Sequence, residues 1–498
     1  MTLHGLGSAE AANGVTGTTF KRASTNDDVV TTPVLDGARA FKVDPVGGLA
    51  TPLTYGWNVV VDAEGNHRLM LASAIIRIDD FWDESVALME LGQGIILGNP
   101  VRQVSISAAE KLSISDKDED EVGSTSTGYL AVDIDYFFLW LYDQRSLTNT
   151  LDVLWVRKPA ASIGPATTIA FNDANPDTIT DSGNGFGVFT AGMIITVSGS
   201  TSNDGTYTIA SVTAGTITLV DGDTLTTESA GANVTVAHSE QWYKAINVTG
   251  HGDGVDSITA LTLGTHTGKG PLPTTGGPFY FVNAVLQNLE KSPNGGSAEP
   301  KDDAKGSFAC KVKMASANGV DGDFDAGTGT NPDWNDVKEI PSDDATSYDE
   351  GNVVNDRQSY AIANAGGGEG VLAAQVVGAI RQTGLQDDLT ARPFIYDGTL
   401  RQNLPTVNPG GGWNRLNNAD VDVTLNRING VDLSESLFND LEAGLEITQV
   451  QNAKVIQVSQ IGLEYAIVGS KPLPSDFPNL RVPRGAGVAL GSGNLMMI

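Results

Sequence analysis

Residues 163–239 contain no Lys or Arg, and in short stretches within them apolar residues recur at every second position. Ile195 and Val197 alternate with Thr196 and Ser198, and Ile217 and Leu219 alternate with Thr216 and Thr218. That period belongs to strands with one buried and one wet face. Asn203-Asp204-Gly205 and Ala214-Gly215 supply turn chemistry between successive strands. The segment reads as a small all-β module complete in itself, so the residues on either side of it need a separate explanation.

The chain has 498 residues, more than a single growing core accommodates, which implies two or three domains. Gly is abundant at 58 residues and aromatics are only 7%, which favours short strands and turns over long helices. The 60 acidic and 30 basic residues leave a net charge of -30, a field that repels phosphate. With no basic patch to override it, nucleic-acid binding is not expected. The same charge keeps a component made in many copies soluble before assembly.

Cys310 is the only cysteine, so no intrachain disulfide is expected. Lys311 is its only charged neighbour, which argues against an activated thiol. The first residues, Met1-Thr-Leu-His-Gly-Leu-Gly7, lack the basic-then-apolar order of a signal peptide. The most apolar window, 129–142, is too short to span a bilayer and carries Asp133 and Asp135, so no membrane insertion is expected. These features predict a soluble protein made in a reducing cytoplasm.

Strand patterns precede the module at 34–43, 71–82, 85–91, 101–107 and 129–141, and follow it at 242–244, 258–263 and 279–285. They predict one antiparallel sandwich interrupted between Lys158-Pro159 and Gln241-Trp242. A polar, Gly-rich stretch then reads as a linker. Beyond it, strands are expected at 308–314, 371–381, 391–396, 421–425 and 455–468, with a loop over 318–327. Ile461, Leu463, Tyr465 and Ile467 share one face while Ile456 and Val458 point the other way, which predicts a bulge or a corner between sheets. Asp432 and Glu435 are positioned to cap a short helix with Leu437, Phe438 and Leu441 as its buried stripe and Gly444 at its end. The expected fold is all-β: two antiparallel jelly-roll sandwiches, a small β-module in the first, and an extended C-terminal arm. The expected boundaries are 1–292 for the interrupted first sandwich, 163–239 for the module, 293–305 for the linker, 306–469 for the second sandwich and 470–498 for the arm.

The wording SGSTSNDGTYTIASVTAGTITL over 198–219 resembles a short β-domain that recurs in bacteriophage virion proteins. The strand succession ASAIIRIDDFW, ALMELG and Phe279-Tyr-Phe-Val-Asn-Ala-Val285 resembles the concanavalin/laminin-G-like jelly roll of phage tail and fibre proteins. A third resemblance runs through Trp334, Val337, Glu339, Pro341, Asp343, Asp344 and Tyr348, then Gln375 to Arg381, Asn408 to Trp413 and Gln460 to Tyr465. It is to a domain found at the C-terminal end of phage structural proteins that begin with a laminin-G-like sandwich, although the spacing over 419–436 is longer than in that pattern. Together these imply a virion structural protein of tail-fibre, head-fibre or decoration type, made in the bacterial host cytoplasm. Its implied partners are other virion proteins and further copies of itself, most commonly as a trimer.

The five His residues show no metal-ligand spacing, and no nucleophile elbow or phosphate loop is present, so the chain is not expected to be an enzyme. No cofactor is expected, with calcium the single candidate because jelly rolls of this kind use it to bind sugars. The residues that could load a cation or meet host surface glycan are Asp253 and Asp256 in one Gly-rich loop and Asp321, Asp323 and Asp325 in another. The simpler reading of both is a turn capped by its own carboxylates, and of 116–121 a solvated acidic turn. Assembly residues are expected in the arm: Phe477, Leu480, Leu495, Met496, Met497 and Ile498, the last four worth roughly 1.5–3 kcal/mol each when buried on a neighbouring copy. The alternative function is a receptor-binding adhesin of the tail that recognises glycan through the first sandwich.

Overall fold

The computed structural model describes residues 2–7, 21–22, 28–35, 38–46, 54–58, 68–92, 100–116, 120–144, 150–251, 258, 260–264, 273–289, 308–326, 334–338, 348–383, 389–409, 414–415, 425, 427–450, 454–469 and 471–478. The chain is all-β, built of antiparallel sheets.

The first sandwich has two sheets. One runs in the order Gln241–Thr249, Leu151–Lys158, Tyr136–Asp143, Leu69–Ile78, Phe279–Asn288, Ala38–Val43 and Asp28–Leu35, with Thr2–Gly7 also paired to Phe279–Asn288. The other runs Glu121–Ser124, Leu112–Asp116, Pro100–Ile106, Val86–Gly92, Ala260–Gly264, Thr54–Asn58 and Lys21–Arg22. Strands from before and after the module therefore interleave in both sheets. The stretch 129–135, expected as the start of a strand, lies outside any strand, and the strand begins at Tyr136. Asp133, at a φ of 60°, takes the left-handed conformation that interrupts extended backbone there.

In the sheet that carries the module, burial does not alternate. Every residue of Tyr136–Asp143 is buried, and so is every residue of Leu69–Ile78 except Arg77. Trp140 and Leu154 are paired on the face toward the second sheet, where Arg102 reaches across to Asp152 at 2.8 Å. Leu139 pairs with Ser73 and Trp155, and Trp155 with Lys244, on the opposite face. That outer face is also dry, because elements from the C-terminal half of the chain lie on it. Val285 packs there with Phe308, Cys310, Ala373 and Ala466 of the second sandwich, and Leu473 and Phe477 join the first core.

The module occupies the space between two directly paired residues, Lys158 and Gln241. Its seven-stranded sheet starts at Ala161, two residues earlier than the sequence pattern indicates, and runs Ala161–Ala166, Val234–His238, Ile194–Ser198, Gly205–Thr213, Thr216–Leu219, Thr178–Asp181 and Ile169–Asn172. Ile194–Ser198 alternates strictly between exposed and buried residues. The buried ones, with Phe171, Ile179, Phe186, Phe189, Ile209 and Val236, form a core separate from that of the host sandwich.

In the second sandwich, Phe308–Gly322 passes between two sheets. Its first half pairs with Ile456–Val468 and its second half with Arg357–Ile362. The corner-turning strand is thus this one, and residues 318–322, expected as loop, continue it. The phase change within Ile456–Val468 comes from a bulge at Ser459, because Gln460 pairs with Ala379 while Val458 pairs with the adjacent Ile380. The short helix exists as the single turn Glu435–Phe438, but its cap is Ser434, whose Oγ accepts from the Leu437 N–H at 3.2 Å. Asp432 instead pairs with Arg427 at 2.8 Å. Gly444, expected to end the helix, sits within Glu442–Val450, where a Cβ would come 2.4 Å from the Phe394 ring. The strand expected at 421–425 lies outside the described residues except for Leu425, which bridges to Ala374.

Candidate functional site

Two features converge on the strands Leu151–Lys158 and Gln241–Thr249. The module leaves from one end of this pair, and residues 471–477 lie across its outer face.

At the module end, Lys158 is fully buried, and among the described residues no carboxylate opposes it. Its Nζ donates to the Tyr129 carbonyl at 2.9 Å, the Thr190 hydroxyl at 2.8 Å and the Ala191 carbonyl at 2.6 Å. It lies 3.8 Å from the Tyr129 ring centroid, a cation–π geometry. Tyr129 belongs to the host, and Thr190 and Ala191 to the module, so one side chain ties the two together. Burial pushes the Lys158 pKa down to about 7. Beside it, the Tyr243 hydroxyl accepts from the Ile194 N–H at 2.8 Å, and His238 Nδ1 contacts the Ile194 carbonyl at 2.9 Å. Burial also lowers the His238 pKa and raises those of Tyr129, Tyr136 and Tyr243. Desolvated in this way, the cluster holds backbone to backbone. Buried Lys158 presents no amine to a substrate, so its chemistry is that of a latch.

Along the outer face, Trp155 Nε1 donates to Asp476 Oδ1 at 2.9 Å while its ring packs against Phe477 at 5.4 Å. Trp242 Nε1 donates to the Pro472 carbonyl at 2.8 Å. Lys244 pairs with Asp476 at 2.7 Å and Glu240 with Lys471 at 2.7 Å. The paired cations Arg157 and Lys471 hold the Glu240 carboxyl below its usual pKa despite the opposing effect of burial. An apolar centre flanked by two ion pairs of opposite polarity gives this seat both affinity and direction.

Phe477, expected to reach a neighbouring copy, therefore packs on its own chain. Leu480, Leu495, Met496, Met497 and Ile498 lie outside the described residues, as do Asp253 and Asp256. His251, two residues before Asp253, is described, and its carbonyl accepts from the Thr150 hydroxyl at 2.8 Å and from the buried Arg102. Asp321 is engaged in a bidentate pair with Arg401, with contacts of 2.6 and 3.1 Å. Asp323 accepts from the Arg357 N–H at 3.1 Å, and Asp325 lies in a short strand paired to Asp349–Gly351. The structure thus separates the roles of these carboxylates, and among the described residues no three His, Cys, Asp or Glu converge as a metal site. At the acidic turn, Asp116 Oδ1 accepts from the Asp120 N–H at 3.1 Å.

Two distant motif pieces in the second sandwich do meet. Gln375 and Glu464 are directly paired, fully buried and joined by a side-chain hydrogen bond. Val337 is buried and its carbonyl accepts from the Ile461 N–H at 2.9 Å, whereas Glu339, Pro341, Asp343, Asp344 and Trp413 lie outside the described residues. Sequence reasoning missed Lys158, Trp155 and Arg102. The available signal was the unbroken apolar run YFFLWLY, which implies a strand covered on both faces. The chain matches no protein family and no curated protein.

Proposed function

We propose that the chain is a structural component of a bacteriophage particle, associated with the tail, its fibres or the head surface, and acting through protein–protein interfaces. The observation that carries this reading is the use made of the dry outer face of the sheet that carries the module. It is occupied by polypeptide, namely the second sandwich at Val285 and residues 471–477 at Trp155 and Trp242. The virion-like wording of residues 198–219 supplies the particle, and the acidic balance suits a component stored at high copy number. Phe477 is anchored on the flank of the first sandwich, and the apolar sequence Leu495-Met496-Met497-Ile498 is suited to a neighbouring subunit. The proposed assembly is a homo-oligomer, a trimer by analogy with fibrous virion proteins.

Antibody labelling of purified particles, followed by reconstruction at the labelled position, tests this. Regular copies contacting other virion proteins are expected. Particles lacking the protein would overturn the reading, and a distal tail position with glycan bound by the first sandwich would replace it with the adhesin reading.

A further inference from the structure

We propose that the Trp155/Trp242 seat is a homotypic docking site, and that in the assembled protein it receives residues 471–477 from a second copy of this chain. The inference rests on the homo-oligomeric part of the reading above and not on location in a particle.

The structure presents the strap and its seat as separable parts. Residues 471–478 join no sheet, so leaving the seat breaks no strand ladder. Contact is made by side chains and one carbonyl: Trp155 with Phe477 and Asp476, Trp242 with Pro472, Lys244 with Asp476 and Glu240 with Lys471. Each of these contacts forms equally well with a strap from another molecule. Only residues 469 and 470 separate the strap from the strand ending at Val468, and short hinges favour exchange between copies. The strap cannot simply stay undocked, because Trp155 is fully buried beneath it and would otherwise present a large apolar surface to water. The opposed ion pairs, Glu240–Lys471 and Lys244–Asp476, select one strap direction and thereby one relative orientation of the two copies.

Charge reversal distinguishes docking within a chain from docking between chains. One full-length variant carries Lys244→Glu in the seat, and the other carries Asp476→Lys in the strap, while Glu240 is kept because it also pairs with Arg157 at 3.0 Å. Lys244 and Asp476 are more than a third exposed, so folding should survive. Each variant alone opposes like charges and should assemble about tenfold more weakly than the native chain. Mixed in equal amounts, matched seats and straps exist only across chains, so native mass measurement should recover hetero-oligomers that contain both variants. A synthetic peptide of residues 469–480 should also bind a chain ending at Val468, with a change in Trp fluorescence that Trp155→Ala removes. A mixture that forms no hetero-oligomer, while the chain bearing both reversals assembles, would overturn the proposal, as would a peptide that does not bind. Either failure would leave the particle labelling result untouched.

Discussion

The inserted module and the sheet that carries it are both antiparallel, yet they are stabilised in different ways. In the module, Ile195 and Val197 are buried while Ile194, Thr196 and Ser198 are exposed, so each strand contributes to one core and is finished. In the host, Leu139 and Trp140 are neighbours on opposite faces and both are fully buried. One face is covered by the partner sheet, the other by residues from the far end of the chain. A one-sided strand depends on its immediate neighbours, whereas a two-sided strand depends on whatever covers it. The module is therefore portable, and the host sheet is not.

The sharpest challenge to this contrast is Leu139→Asp. In a one-sided strand alternate positions tolerate charge, but here the carboxylate would be buried without a partner at a cost of about 4 kcal/mol or more. Denaturant melts should show the host unfolded or severely weakened, while the module retains its own cooperative transition. Equal weakening of both would show that they form one cooperative unit.

Ending the chain at Val468 should have the next largest effect. It removes the half-buried Leu473 and Phe477 from the first core and uncovers Trp155, for a loss of about 2–4 kcal/mol confined to the host. An unchanged host melting temperature would mean that the strap covers the face without stabilising it.

Lys158→Met should cost about 1–2 kcal/mol, since it leaves the Tyr129 and Ala191 carbonyls without their donor. The variant also has a pH signature. The folded pKa of about 7 lies below the ordinary 10.5, so between those values the unfolded chain binds the extra proton. Stability contributed by this residue therefore rises with pH across that window and is flat below it. The native chain should gain on Lys158→Met as pH is raised from 7 to 10, and a parallel pair of stability curves would contradict the assignment.

Excising residues 160–239 and joining the ends with Asn-Gly leaves a four-residue loop, Pro159-Asn-Gly-Glu240, between the paired Lys158 and Gln241, and should change host stability by about 1 kcal/mol or less, because Lys158 loses its Thr190 and Ala191 acceptors but gains water. The excised segment, expressed alone, should give a cooperative thermal transition. The smallest effect is expected for Ile194→Asp, which places charge on the wet face of the module. Its exposure of 41% predicts a change within about 0.5 kcal/mol, and a larger loss would reveal a partner on that face.

Much of this was legible without coordinates. Alternation identified the module strands, strand spacing located the insertion between Lys158 and Gln241, and the phase change before Ile461 reported the bulge at Ser459. Local chemistry was less decisive at the helix. Asp432 and Ser434 are both competent caps, and pairing with Arg427 takes Asp432 out of the competition. The loop expected at 318–322 is strand because Arg357–Ile362 offers it a partner, which no property of Asn318 or Gly319 foretells. Asp321, one of three carboxylates at cation-ligand spacing, is claimed by Arg401 from another hairpin.

What the sequence determined by itself is the kind of surface the module strands need, one dry face each; the second dry face of Tyr136–Asp143, although its apolar run signals it, and the strand Leu151–Lys158 came only from the structure. Periodicity reports that need because side chains alternate along a strand whatever lies above them. Which residues meet the need was decided only by the tertiary structure. Trp155 is covered by Asp476 and Phe477, 321 residues and more along the chain, and Lys158 finds its acceptors in a module with a separate core. Contacts at such separation depend on how finished elements pack in space, and packing leaves no period in the residues that take part.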